Sequence, residues 1–409
     1  MTTAAEWHSK GLALLETGDL HEARNHFALA LNDAPQNAPY MLDYAQAYVD
    51  LGQYEKAETF FRAALDLDPA SATGNYRFAN LLKQFGHLHE AIAKYSLAIA
   101  SRPDYVEAFN NRGAAYHTMG EIKEAADDYQ RAIGLDPHLS QAYLNLGRLL
   151  DSSGDFEAAS ELYRGALTNG LDQDLFNHLL QSVSGEPSDK APVGYVRAIF
   201  DDYAGAFDHH LTQTLGYTLP SLIGAQVRAL YGASANQLIA VDLGCGTGLC
   251  GVEIASCVGH LAGVDASPRM LDHADRRGIY HDLIEGDIER YLPELDAVSV
   301  DLLIAADVFI YIGALEKIFS EAGRILRTGG VFIFSIEHLA ENAGHQLQRT
   351  GRFQHSIDYI EQLGVASGFA VERVAPVELR LEQARPVPGG LFTLRRVFQS
   401  ASDTVSGVV

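Results

Sequence analysis

The chain is poor in cysteine, in basic residues and in long apolar runs, and each shortage excludes a class of protein. Only three of the 409 residues are cysteine, so we expect packing residues in a reducing compartment rather than a disulfide framework. Lysine and arginine number 30 against 53 acids, for a net charge of −23, which disfavours nucleic-acid binding. No apolar run approaches membrane-spanning length, and the first residues lack the basic start and apolar stretch of a signal peptide. We therefore expect a cytoplasmic protein without membrane contact.

A period of 34 residues runs through residues 1–173. Small residues and aromatic residues recur in register within it. They are the prolines Pro35, Pro69, Pro103 and Pro137, the glycines Gly18, Gly52, Gly86, Gly120 and Gly154, the alanines Ala23, Ala57, Ala91, Ala125 and Ala159, and the aromatics Phe27, Phe61, Tyr95, Tyr129 and Tyr163. Alanines let paired helices approach closely, and one repeat cannot bury its own apolar face, so the period predicts stacked helix pairs.

This period resembles the tetratricopeptide (TPR) repeat, a helix-turn-helix of 34 residues. The resemblance implies an α solenoid of five repeats whose groove binds a protein partner or a peptide. Asn111 and Asn145 share a position that can hold a peptide backbone in that family, but Asp43 and Arg77 replace asparagine there in two other repeats. Packing of the groove against the second domain, or self-association, is the alternative.

Residues 174–192 predict a closing helix followed by a linker. Leu175 to Val183 suits a helix that covers the last repeat, and the following Ser-Gly-Glu-Pro-Ser-Asp-Lys-Ala-Pro stretch has the composition of a linker. The predicted domains are therefore five repeats at 1–173, a capping helix with a linker at 174–192, and a second domain at 193–409.

Residues 241–248 read Val-Asp-Leu-Gly-Cys-Gly-Thr-Gly, between an apolar run and a helix-like stretch. This order predicts a buried strand, a tight turn and a helix start, where glycines let the backbone approach a ligand closely. A second apolar run, 261–264, ends in Asp265, about where a strand-helix-strand unit puts a ribose-binding carboxylate. The motif resembles that of class I S-adenosylmethionine (SAM) dependent methyltransferases.

Strands and helices alternate through the second domain, which predicts a mostly parallel sheet with helices on both faces. Two late strands, 369–380 and 391–400, follow one another without a helix. That pair resembles the antiparallel hairpin that closes a class I methyltransferase sheet. The predicted fold class is an α solenoid followed by a Rossmann-like α/β domain of this kind.

Ligands of such sheets lie beyond the carboxyl ends of the strands. The resemblance implies that Asp242 faces the methionine end of SAM, that Asp265 accepts the ribose hydroxyls, and that Asp287 accepts the adenine amino group. The full set of expected SAM contacts is Asp242, Gly244, Cys245, Gly246, Gly248, Asp265, Ala266, Met270, Asp287, Ile288 and Ala306.

A dinucleotide-binding fold is the rival interpretation, because residues 246–251 also match G-x-G-x-x-G. Charge favours SAM. No Lys or Arg occurs between 229 and 268, so we expect acids and no base around the cofactor, which would repel a pyrophosphate more than a sulfonium. A glycine turn that binds nothing is the third interpretation.

Three residues are the candidates for catalysis, namely Asp307, Tyr311 and His355. Asp307 to Ile312 aligns with a segment that carries histidine at the Tyr311 position in many small-molecule O-methyltransferases, and tyrosine is a poor base. His355 is the candidate substitute, unless the acceptor is an amine or a thiolate that needs no strong base. A lid or substrate role is expected for a further set, which comprises Tyr203, Phe207, His210, Arg352 and Arg380. An arginine there could pair with a substrate carboxylate, and the alternative is an ion pair at the domain rim with Glu382, which flanks the same turn as Arg380.

Together these patterns predict a SAM-dependent methyltransferase, of class EC 2.1.1.-, with a TPR module for protein interaction. The acceptor is a small molecule or a protein, and no metal ligand set is evident. The alternatives are a TPR adaptor that binds SAM without turnover and an NAD-dependent oxidoreductase.

Overall fold

The computed structural model describes residues 2–204, 207–209, 211, 216–232, 237–340, 344–382 and 385–397. The chain divides into two units, Met1–Leu171 and Asp172–Val409. Each unit is built around its own buried side chains.

The first unit is a run of antiparallel helix pairs. The helices are α1 Ala4–Glu16, α2 Leu20–Asp33, α3 Ala38–Asp50, α4 Tyr54–Leu67, α5 Ala72–Gln84, α6 Leu88–Ser101, α7 Val106–Thr118, α8 Ile122–Leu135, α9 Ser140–Ser153 and α10 Phe156–Thr168. The repeated alanines and aromatics of the second helices are buried, as the 34-residue period predicts. Each repeated glycine has positive φ, for example 82° at Gly18, which favours glycine at the turn inside a pair.

Polar side chains of the first helices bond to one another between repeats. Arg77 donates to Asp43 at 2.7 Å. Asn111 donates to the hydroxyl of Tyr76 at 3.1 Å, and Asn145 donates to Asn110 at 2.9 Å. The two asparagines singled out from the sequence thus already take part in bonds within the unit.

The second unit begins with helices. They are α11 Gln173–Ser184, α12 Val193–Tyr203, α13 Phe207–His209 and α14 Leu219–Tyr231. The predicted closing helix exists as α11, and its His178 lies 3.1 Å from the carbonyl oxygen of Gly351 in the same unit. That this helix covers the last repeat stays a prediction.

A seven-stranded sheet forms the centre of the described part of the second unit. Its strands lie in the order β3-β2-β1-β4-β5-β9-β8. Their bounds are β1 Ile239–Leu243, β2 His260–Asp265, β3 Asp282–Glu285, β4 Val300–Ala305, β5 Leu326–Glu337, β8 Phe369–Glu382 and β9 Arg385–Arg396. The first five are parallel, and β9 pairs antiparallel with both β5 and β8. The predicted fold class, with its antiparallel C-terminal hairpin, is confirmed.

Helices cover the sheet, and apolar side chains fill the space between. They are α15 Leu249–Ile254, α16 Pro268–Asp275, α17 Ile288–Tyr291, α18 Glu316–Ile325 and α19 Ile357–Ala366. Phe332 and Phe334 of β5 are fully buried between these layers. Among the residues that the structure describes, no helix has the length and apolar character needed to cross a membrane.

Two short features that the sequence did not indicate lie at the carboxyl edge of the sheet. One is a hairpin of β6 His345–Leu347 and β7 Phe353–His355. The other is the segment 189–191, which we call the strap. Its backbone bonds to the loop after β4: Ala191 N donates to Tyr311 O at 2.9 Å, and Gly313 N donates to Asp189 O at 2.8 Å. The stretch that reads as a linker therefore contributes ordered structure to the second unit.

Candidate active site

A cavity of about 390 Å³ opens at the carboxyl ends of the strands, in the size range of small-molecule sites. Glycines, carboxylates, basic groups and apolar side chains all line it. The lining residues are Lys190, Ala191, Val193, Val196, Ile199, Phe200, Phe207, Leu211, Tyr217, Gly244, Gly246, Asp265, Ala266, Gly286, Asp287, Ile288, Ala306, Asp307, Val308, Ile310, Tyr311, Ile312, Arg352 and Arg380.

The turn after β1 brings bare backbone to the cavity. Gly246 has φ of 54°, and a Cβ atom there would be in ordinary van der Waals contact with the ring of Phe207, at 3.9 Å. At Gly244, a Cβ atom would lie 2.6 Å from Val308, so a side chain does not fit. Both positions have a positive φ that favours glycine, and at Gly244 the packing of Val308 excludes a side chain as well.

Asp242 lies behind this turn rather than on the cavity wall. It is buried, and the hydroxyl of Tyr280 donates to its carboxylate at 2.7 Å. Burial raises the pKa of Asp242 to about 7, although the hydrogen bond from Tyr280 opposes the rise. The carboxylate thus supports the turn from behind.

Asp265 ends β2 at the cavity, and backbone amides orient it. Gly246 N and Ser267 N each donate to its carboxylate at 2.9 Å, one to each oxygen. Burial raises the pKa of this carboxyl group, and the amide bonds oppose the rise. A carboxylate bonded in this way keeps lone pairs for further donors from a ligand.

Asp287 forms an ion pair with a lysine, although the sequence predicts acids and no basic residue around the cofactor. Lys190 of the strap lies 2.8 Å from both carboxylate oxygens of Asp287 and 2.6 Å from Glu289. Asp287 also caps α17 through Glu289 N, at 3.0 Å. Lys190 was missed because it lies almost a hundred residues away in a stretch whose composition indicates a linker.

A buried ion cluster lies at the ends of β4, β5 and β8. Arg380, 4% exposed, donates to both oxygens of Asp307 at 2.9 and 3.0 Å and also to Glu337. Asp307 has φ of 58°, unusual for a residue other than glycine, and its amide donates to Ser335 at 2.8 Å. Arg380 therefore pairs with Asp307 and Glu337, two acids that the sequence did not indicate as its partners.

Tyr311 and Arg352 line the cavity beside this cluster. Burial raises the pKa of Tyr311, and a hydrogen bond from Arg352 opposes the rise. The ring of Phe200 meets that of Tyr311 edge-on, with 5.7 Å between centroids. At neutral pH Tyr311 therefore carries its proton and is a hydrogen-bond donor rather than a base.

His355 does not lie on the cavity wall, so its position does not support the predicted role as catalytic base. It is fully buried, and its Nε2 lies 2.9 Å from Ile312 O and 3.1 Å from Gly313 O. Burial lowers the pKa of His355 to about 4. It holds the β6–β7 hairpin against the loop after β4.

Apart from His355, the predicted site residues fall into three groups. Most of them lie on the cavity wall: Phe207, Gly244, Gly246, Asp265, Ala266, Asp287, Ile288, Ala306, Asp307, Tyr311, Arg352 and Arg380. Asp242, Cys245 and Met270 are buried, and like Gly248 they are absent from that wall. The side chain of Tyr203, and His210 as a whole, lie outside the described part of the chain.

The stability of this region should depend on pH through His355. Its folded pKa is lowered below the unfolded value of about 6.5, so the native state resists a proton that the unfolded chain accepts. The stabilisation is complete above about pH 6.5 and is lost as the pH falls toward 4, by roughly 3 kcal/mol at about 1.4 kcal/mol per unit.

Denaturant unfolding at pH 8, 6 and 5 measures this effect. The variant His355→Gln keeps an amide donor for the two carbonyls and cannot be protonated. Its unfolding free energy should depend less steeply on pH than that of the parent chain. Equal pH dependence in both proteins would show that His355 is not the responsible group.

The comparisons with known proteins identify two kinds of domain. Residues 241–334 match a family described as a methyltransferase domain. Residues 14–72, 79–120, 106–139 and 140–169 match families of tetratricopeptide repeat. The chain therefore carries TPR repeats in its N-terminal region and a methyltransferase domain in its C-terminal region, which confirms the resemblance drawn from the motifs.

Individual relatives cover only parts of the chain. An uncharacterized methyltransferase of Schizosaccharomyces pombe is 28% identical over 137 residues, 32% of this chain and 51% of that protein. The chain thus spans about half the length of the curated relative that it matches. Among solved structures, MamA is 25% identical over 39% of this chain and 94% of its own, with a TM-score of 0.37. An S-adenosylmethionine dependent methyltransferase from Mesorhizobium loti is 22% identical over 42% and 96%, with a TM-score of 0.35.

Proposed function

We propose that the second unit binds SAM in the cavity and transfers its methyl group to an acceptor, while the TPR repeats bind a protein partner. The observation that carries the proposal is the position of the cavity. It lies at the carboxyl ends of β1, β2 and β4, and more than half of its lining residues, Gly246 and Asp265 among them, belong to the segment 241–334 that matches a methyltransferase domain. Open parallel sheets bind their ligands at this edge.

The residues at the β1–β3 end fit the groups of SAM. Asp265 has lone pairs for the two ribose hydroxyls, and charge-assisted bonds of that kind contribute about 1.5–3 kcal/mol each. Asp287 and the Ile288 amide would hold the adenine. The bare backbone at Gly244 and Gly246 would adjoin the methionine end. SAM supplies a methyl group activated by a sulfonium, and the protein supplies orientation and exclusion of water.

Two amides that a pyrophosphate would need are already bonded within the protein. Gly246 N donates to Asp265, and Gly248 N donates to Cys245 O at 2.9 Å. A dinucleotide would therefore meet a carboxylate where the rival fold offers free amide donors. This arrangement favours SAM over NAD.

Calorimetric titration of the full chain with SAM, S-adenosylhomocysteine and NAD tests the cofactor. We expect binding of the first two in the micromolar range and no heat from NAD. Micromolar binding of NAD without heat from SAM would exclude a methyltransferase.

Turnover is a separate question, because an adaptor could bind SAM without reaction. Incubation of the protein with methyl-labelled SAM and cell extract, followed by separation of protein from small molecules, decides it. Label in either fraction supports catalysis, and its distribution distinguishes a protein acceptor from a metabolite. SAM binding without any transfer of label would support the adaptor.

A further inference from the structure

The cavity has a second end, on the side of β4, β5 and β8, which the proposed SAM contacts do not occupy. Three charged groups line it, namely Asp307, Arg352 and Arg380, and Glu337 lies behind the wall in contact with Arg380. Tyr217 and Tyr311 lie on the wall of the same cavity. A methyl acceptor that binds at this end must suit these side chains.

The two acids near this end, Asp307 and Glu337, both form ion pairs with Arg380. Both oxygens of Asp307 accept from Arg380, and Glu337 accepts from the same guanidinium. Glu337, whose pKa burial raises, is not on the cavity wall. A proton on either carboxylate would break its ion pair with Arg380. For the same reason these acids are poorly placed to bind a cationic acceptor.

The remaining polar groups of this end are also unsuited to remove a proton. The cavity wall, as far as the described residues form it, contains no histidine. Burial raises the pKa of Tyr217 and of Tyr311, so both phenols keep their protons at neutral pH. An acceptor that must lose a proton, such as an alcohol or an ammonium group, would find no ready base.

Arg352 brings positive charge and directed donors to the wall. It precedes β7, and its carbonyl oxygen accepts from Gln348 N at 2.7 Å, so the tight end of the hairpin fixes its backbone. Two buried histidines, His178 and His355, tie the hairpin to other elements through backbone carbonyl oxygens. A guanidinium on a rigid support is suited to a planar carboxylate.

The rest of the wall is apolar where the N-terminal helices of the unit close the cavity. Val193, Val196, Ile199 and Phe200 of α12 line it, and Phe207 and Leu211 follow. This wall suits a hydrocarbon or aromatic body more than a sugar or a peptide backbone.

We propose that the methyl acceptor is an apolar carboxylic acid, whose carboxylate is bound by Arg352 and Tyr311 and whose body lies against α12, and that the product is its methyl ester. This proposal rests on the proposed methyl transfer. A carboxylate oxygen forms a bond to the methyl carbon as the bond from carbon to sulfur breaks, and the electron pair of that bond remains on sulfur. The carboxylate loses its negative charge and the sulfonium its positive charge. No proton is released, so no base is required.

Alkaline hydrolysis distinguishes this product without knowledge of the acid. The full chain is incubated with tritium-methyl SAM and the small-molecule fraction of cell extract, and the products are treated with alkali. Methyl esters release volatile labelled methanol, whereas methyl ethers, methylamines and thioethers keep their label. We expect most of the transferred label to be volatile.

The variant Arg352→Gln tests the residue. We expect the rate of formation of base-labile label to fall by about 10²-fold, in the range seen when one partner of a buried charge pair is removed. The affinity for SAM should change by less than about threefold. Arg352→Lys, which keeps the charge without the planar fork, should retain an intermediate rate. The matched control is Arg349→Gln, an exposed position on the same hairpin, which should retain the parent rate.

Each contrary result has a distinct meaning. Transferred label that resists alkali would overturn the carboxylate acceptor while leaving methyl transfer intact. No transferred label in this fraction, with SAM bound, would overturn the carboxylic acid acceptor, whereas methyl transfer itself would be overturned only if whole extract, with its proteins, also accepted no label. A parent rate in Arg352→Gln, or a loss of SAM affinity as large as the loss of rate, would overturn the role of Arg352 toward the acceptor.

Discussion

Replacement of Arg380 by methionine is expected to lower the free energy of unfolding by about 3–5 kcal/mol, because the buried Glu337 and the partly buried Asp307 lose their shared partner. Arg380 is 4% exposed and reaches both Asp307 and Glu337. Methionine retains much of the side-chain volume, so the loss would come from uncompensated charge rather than from a void. Denaturant unfolding at pH 8, where both acids are ionised when exposed, measures it.

The matched control for this change is Arg327→Met. Arg327 also contacts an aspartate, at 2.8 Å from Asp301, but its side chain is 42% exposed. Ion pairs exposed to solvent contribute about 0–1 kcal/mol, so this variant should lose little stability. Similar small losses in both variants would mean that the cluster around Arg380 is solvated.

Replacement of Asp265 by alanine is expected to weaken SAM binding by about 3–6 kcal/mol, the contribution of two charge-assisted hydrogen bonds. The carboxylate also accepts from Gly246 N and Ser267 N, so alanine would disturb the turn after β1 as well. Asp265→Asn keeps one oxygen acceptor and should fall between alanine and the parent chain. Calorimetry gives the affinities, and thermal unfolding without ligand separates binding from folding.

Asp282→Asn is the control, since this exposed acid lies on the neighbouring strand β3 and pairs with His260 outside the cavity. It should bind SAM as the parent chain does. Unchanged affinity in Asp265→Ala would show that SAM, if bound, does not use the end of β2.

The repeats could be predicted from the sequence because their contacts are local. Each aromatic residue, such as Phe61 or Tyr95, is buried by helices that are close to it in the chain, so the pattern that buries it is visible in one or two periods. The same holds for β1, the glycine turn and α15, which are consecutive. Asp265 could be located because one strand-helix-strand unit has a nearly constant length.

The partners of the site could not be predicted, because they come from distant parts of the chain. Lys190 reaches Asp287 across 97 residues, and Arg380 reaches Asp307 across 73. The position of His355 before a helix predicts that it lies near the substrate. In the structure it belongs to the three-residue strand β7, which pairs with β6, and its side chain is buried. Short hairpins of this kind have too few residues for a readable alternation.

Tyr280 illustrates how such a partner constrains evolution. Its side chain lies against Gly248, Gly251 and Gly263. An added Cβ atom would lie 3.0 Å from its ring at Gly248 and 2.8 Å from it at Gly263, and at Gly251 would clash with its hydroxyl. Its hydroxyl is also the donor to the buried Asp242. A methyl group at Gly251 would displace the tyrosine, and a smaller residue at 280 would make room but leave the carboxylate without that donor. These five positions can therefore vary only in concert, and the effect of a substitution at one of them depends on the residues at the other four.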